Sequence, residues 1–159
     1  MKISDDFFDE NHNLFMATIL GVFCGLFSAL ASVSDADAAC IFLAILIGNL
    51  LVLKVDGLHH IITLLVFLLF ILVAGIPEFS IVVLLICILS AMGDEVGHEL
   101  IDKMTDNKYL NLFFEYRFLM KVVMLILVVC GVFNIWIFVC FMLFEIFYQI
   151  GGLVFKSLN

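Results

Sequence analysis

Charge is what this chain has least of. Only 14% of its 159 residues are Asp, Glu, Lys or Arg, against about 25% in an ordinary soluble domain. Seven basic side chains against fifteen acidic ones give a net charge of −8. No basic face exists to neutralise phosphates, so no nucleic-acid partner is expected. Cysteine is present but unpaired in pattern: Cys24, Cys40, Cys87, Cys130 and Cys140 are odd in number, lie inside apolar runs and form no CxxC pair. That excludes a disulfide framework and a zinc ribbon and leaves small packing residues. No nucleophile stands beside a base and no glycine-rich loop could cradle phosphate, so triad hydrolysis and nucleotide hydrolysis are not expected.

What is abundant is apolar sequence. Hydrophobic residues make up 65% of the chain, with a single proline, more than a water-soluble core of this length can absorb. Lipid is the solvent that accepts such outward faces. The expectation is an all-α, polytopic transmembrane bundle in the cell membrane, with the lipid bilayer as its main partner. About five spans are read: Leu14–Val33, Ala38–Leu53, Ile61–Ile76, Phe79–Gly93 and Val122–Phe144. Residues 1–13 carry Asp5, Asp6, Asp9 and Glu10 where a secretory signal would be basic, so they read as a cytoplasmic acidic segment. Residues 14–155 form one transmembrane domain with a cytoplasmic polar loop near 102–117.

With five spans, Lys2, Lys54, Lys103, Lys108, Arg117 and Lys121 fall on the N-terminal side and only Lys156 on the other. The positive-inside rule then places the N-terminus in the cytoplasm and the C-terminus outside. Ala17, Gly21, Gly25 and Ala29 repeat a small residue every fourth position, which permits close helix approach in lipid. That face belongs at the bundle centre, or at a contact in a homo-oligomer or larger membrane complex. Ser34 and Asp37 fit a capping box, Pro77-Glu78 a helix start, Asn134 an interhelical hydrogen bond, and Gly151-Gly152 a frayed tail.

One constellation can carry chemistry. Three apolar runs hold only 15–16 residues, whereas crossing the hydrocarbon takes about 20. Their polar ends therefore sit near membrane depth, which puts Lys54, Asp56, His59 or His60, Asp94, Glu95 and His98 in one layer. Ionisable groups there face a bundle interior or a wet cavity. Glu95-x-x-His98 has the i, i+3 spacing of carboxylate metal bundles, and His98-Glu99-x-x-Asp102 has i, i+4 ligand spacing. The expected metal set is Asp94, Glu95, His98, Asp56 and His60, with zinc, manganese or magnesium as the ion. Lys54, Lys103, Arg117 and Lys121 are the groups for ion pairing or phosphate. Three functions fit: cation or proton handling in transport, a metal-dependent enzyme acting on a lipid or prenyl phosphate, or a structural subunit whose charged pairs only pin helix ends.

Overall fold

The computed structural model describes the backbone of residues 1–10, 12–55, 57–104 and 108–158, and their side chains except at 99, 102–104, 108, 112, 115 and 156–158. Among these residues every regular element is a helix: α1 (Lys2–Asp9), α2 (Leu14–Ser34), α3 (Ala36–Leu51), α4 (Leu58–Ala74), α5 (Ile81–Met104), α6 (Lys108–Glu115), α7 (Phe118–Val129) and α8 (Ile135–Leu158). The helices α2, α5 and α8 contain segments long and apolar enough to cross a membrane. The apolar helices α3, α4 and α7 are shorter.

Local chemistry sets the boundaries. Asn13 caps α2, its side chain accepting from the Met16 amide at 3.1 Å. Asp35 caps α3 by accepting from Asp37 and Ala38 at 2.9 and 3.0 Å. The capping residue is thus Asp35, and the Ser34–Asp37 box does not form: Ser34 bonds back to the Leu30 carbonyl at 2.7 Å. Gly75, at φ 79°, ends α4 with its amide on the Ile71 carbonyl. Pro77 and Glu78 precede α5 and lie in the connection.

The expected fifth span, Val122–Phe144, is two helices. Gly131 adopts φ 71°, its amide meets the Val128 carbonyl and the Val132 amide meets the Leu127 carbonyl, both at 2.9 Å. This is a Schellman stop. Three residues later Asn134 caps α8, accepting from the Trp136 amide at 3.0 Å, rather than gluing two helices at mid-span. The Asn134 amide also donates to Asp37 at 2.9 Å, tying the α7–α8 turn to the start of α3. The chain therefore doubles back within the apolar run, and the last part of α8 returns to α1. Phe7 and Phe155 meet edge to face at 4.9 Å. Gly151 and Gly152 are helical and receive Ile3 and Lys2 of α1; they are not a frayed tail.

Packing pairs α2 with α4 and α3 with α5. The stripe Ala17, Gly21, Gly25 and Ala29 is buried and faces α4 within the same chain. A Cβ on Gly21 would lie 2.8 Å from the His59 carbonyl, and one on Gly25 2.6 Å from that of Thr63. The core between α3, α5, α7 and α8 joins Cys40, Ala44, Cys87, Ala91, Met124 and Phe141. Outward positions stay apolar, as Leu72 and Val73 at 81% and 89% exposure illustrate. That suits a lipid solvent and not water.

Because the atom against Gly25 is backbone, Gly25→Ala has no flexible neighbour to displace. It is expected to cost about 1–3 kcal/mol, as overpacking does. Unfolding titrations in mixed micelles would read this as a lower midpoint; an unchanged midpoint would show that α2 and α4 are not so close.

Candidate functional site

A cavity of about 550 Å³ opens inside the bundle. Its walls change character along their length. One end carries Asp5, Lys54, His59, His60, Asp94, Glu95, His98, Arg117, Glu145 and Tyr148; the other is formed by Phe42, Ile45, Leu46, Leu64, Phe67 and Phe141.

The polar end is covered by α1. Ser4, fully buried, donates to the Ala17 carbonyl at 2.7 Å, and Lys2 pairs with the buried Asp6 at 3.0 Å. These contacts fix α1 across α2 and α8 and bring Asp5 against the first turn of α4, where the helix dipole favours an anion. Asp5 Oδ1 lies 3.0 Å from His59 Nε2 and 3.4 Å from His60 Nε2. The two imidazoles are 4.3 Å apart by ring centroid. His59 can fold back because Gly57 has no Cβ, which would overlap the ring. Phe8 covers His59 at 4.8 Å, leaving it 2% exposed, and His59 Nδ1 has no hydrogen-bond partner among the described residues.

Asp5, His59 and His60 present one ligand atom each, all within 4.8 Å of one another. Ligands at about 2.0–2.1 Å from a tetrahedral zinc are separated by about 3.4 Å, so small side-chain shifts would close the set on an ion. Burial of the Asp5 carboxyl raises its pKa, and this outweighs the opposing pull of His60, of the His59 hydrogen bond and of the N-terminal ammonium.

The residues read from sequence divide clearly. Lys54, His60, Asp94, Glu95, His98 and Arg117 do line one cavity. They do not form one ligand set. Asp94 is 2% exposed, and its two oxygens accept from the amides of Leu119 and Met120 at 3.0 and 2.8 Å. It caps α7 from a neighbouring helix. Glu95 closes on Arg117 at 2.5 Å. Burial opposes the charge of Arg117, but Glu95, with Tyr148, Glu145 and Asp94 behind it, overrides that and raises its pKa. Arg117 also lies 5.8 Å over the Tyr148 ring. Lys121 pairs with Glu145 at 3.1 Å and donates to the Tyr116 carbonyl. His98 is exposed and lines the cavity. Asp56 lies outside the described residues, as do the side chains of Glu99, Asp102 and Lys103.

Sequence reasoning missed Asp5, which it read as part of a solvated acidic segment. Ile3, Phe7 and Phe8 among those acids were the available signal that the segment has an apolar side to bury.

Asp94→Asn keeps one acceptor and turns an amide towards the second N–H. It is expected to destabilise the start of α7 by about 1–3 kcal/mol. Hydrogen exchange should accelerate at Leu119 and Met120 more than elsewhere; uniform protection across α7 would show that the cap is dispensable.

No protein-family model, curated protein or solved structure matches this chain.

Proposed function

We propose that this is a multi-pass membrane protein that binds a divalent cation between Asp5, His59 and His60, at the cytoplasmic end of an internal cavity. The observation that carries the reading is the convergence of one carboxylate and two imidazoles from opposite ends of a 54-residue separation. Two nitrogen donors and one oxygen suit zinc better than magnesium, which prefers oxygen throughout. Three protein ligands leave a coordination position open. The same groups would share a proton when no metal is present.

The threading that supports this has an even number of crossings. With α7 and α8 counted separately, Lys2, Lys54, Lys103, Lys108, Arg117, Lys121 and Lys156 all fall on one side, which makes seven basic residues to none. That is a cleaner positive-inside pattern than five spans give, and it agrees with the contact between Phe7 and Phe155. Conduction across the membrane is less well supported than binding. Asp35 and Asp37 are engaged by backbone amides at the far end, and the cavity ends on Phe42, Phe67 and Phe141.

Calorimetry tests the site. Zinc should bind saturably, one per chain, and at least tenfold more weakly in Asp5→Asn and in the double variant His59→Ala/His60→Ala. Magnesium should bind little. Affinity should fall as the solution is made more acidic, because protons compete with the metal for the ligand atoms, and burial, which raises the Asp5 pKa, adds to that competition. Zinc affinity that survives the double substitution would remove the proposal.

Cysteine labelling in a cysteine-free background tests the threading. Asp9→Cys and Lys156→Cys should react from the cytoplasmic side, Glu78→Cys and Val132→Cys from the outside. Opposite accessibility of Asp9→Cys and Lys156→Cys would restore an odd number of crossings.

A further inference from the structure

A site for a bare cation has no use for a deep apolar chamber, yet the Asp5–His59–His60 cluster opens onto one. From His60 to Phe67 along α4, and from Asn49 to Phe42 along α3, the lining runs seven residues, or about 10 Å at the helical rise. Phe67 and Phe141 at the apolar end are 2% and 5% exposed. The space therefore has one charged end and one end that water occupies unfavourably, within the volume range of ligand pockets, about 300–1,000 Å³.

The charges at the polar end narrow the class of head group. Asp94 is satisfied by two backbone amides, Glu95 by Arg117 and Glu145 by Lys121. Each of these three acids has its own partner, so an ammonium head beside them would have to break a pair; Asp9 also lines the cavity but is exposed. An anion meets a different setting. Arg117 engages Glu95 through Nη2, and a guanidinium carries five N–H donors in all. Lys54 lines the same cavity. A cation held by two neutral imidazoles and one carboxylate keeps a net positive charge and an open coordination position.

We propose that the cavity binds an anionic amphiphile with a single chain, of the alkyl or prenyl phosphate class. Its head is bridged to Asp5, His59 and His60 by the cation and met by Arg117, and its chain lies between Leu46, Leu64 and Phe67. This rests on the cluster being a cation site and adds the identity of what completes it. Each buried methylene strengthens binding roughly fourfold, so affinity should climb with chain length until the apolar end is reached, then level off.

The test uses the full chain in phosphatidylcholine nanodiscs, with empty nanodiscs subtracted. Octyl phosphate should bind one per zinc-loaded chain, about fifteenfold tighter than hexyl phosphate, and far tighter than inorganic phosphate. Chelating the zinc should weaken it at least tenfold. Octyltrimethylammonium should not compete. Leu46→Trp narrows the chamber from α3, which carries none of the metal ligands, and should cost octyl phosphate at least tenfold while leaving zinc affinity unchanged; Leu46→Phe serves if Leu46→Trp does not fold, as judged by its zinc titration. The inference is overturned if a variant that still titrates zinc binds octyl phosphate as wild type does, if octyltrimethylammonium competes equally, or if chain length has no effect. A wild-type protein that takes up no zinc removes the cation reading itself; one that takes up zinc but no octyl phosphate removes only this inference.

Discussion

A helix that begins within a bilayer exposes amide donors to a solvent that cannot accept from them. In this chain Asp94 accepts from the Leu119 and Met120 amides at the start of the apolar helix α7, and much of the architecture depends on that arrangement. The helix α7 has 12 residues, about 18 Å at the helical rise, well short of a hydrocarbon core of about 30 Å. It can be short because α5 supplies its cap from the side. Arg117, just before that cap, enters α7 through a left-handed conformation at φ 49° and comes within reach of Glu95. One carboxylate therefore fixes where α7 starts, how Arg117 turns and where the polar wall of the cavity stands.

The opposite wall depends on glycine in a different way. Gly21 and Gly25 bring α2 onto the backbone of α4, and Thr63 Oγ lies 2.9 Å from the Gly21 carbonyl and 2.8 Å from that of His59. This approach holds the first turn of α4 in place, while Gly57 lets the His59 ring fold against its own helix start. Without those close contacts the two imidazoles would have no fixed relation to α1. The proposed cation site thus rests on small residues as much as on its ligands, since the ligands alone carry no geometry.

Apolar run length located α2, α3, α4 and the start of α5 within a few residues, because a bilayer imposes that length directly; α5 runs on to Met104, past the expected end at Gly93, because its last turns are polar. It failed at Val122–Phe144 because hydropathy does not distinguish one apolar helix from two. The break is written in Gly131 and Asn134, a stop and a start that cost almost no hydrophobicity. The shared layer of Lys54, His60, Asp94, Glu95 and His98 was legible because depth can be counted along a helix. Which of those groups would be engaged by a backbone amide was not legible, since the Asp94 partners lie 25 and 26 residues away. Asp5 was least visible of all. Its partners are on α4, and only a fold that returns α8 to the N-terminal helix puts it beside them.

That return has a consequence for the order in which the protein can be built. The segment carrying Asp5 is synthesised before any of the apolar helices, yet its seat on Gly151 and Gly152 does not exist until α8 has been made and packed. Its other seat, through Ser4 on Ala17 of α2, is made of residues synthesised early, so α1 is held between the first part of the chain and the last.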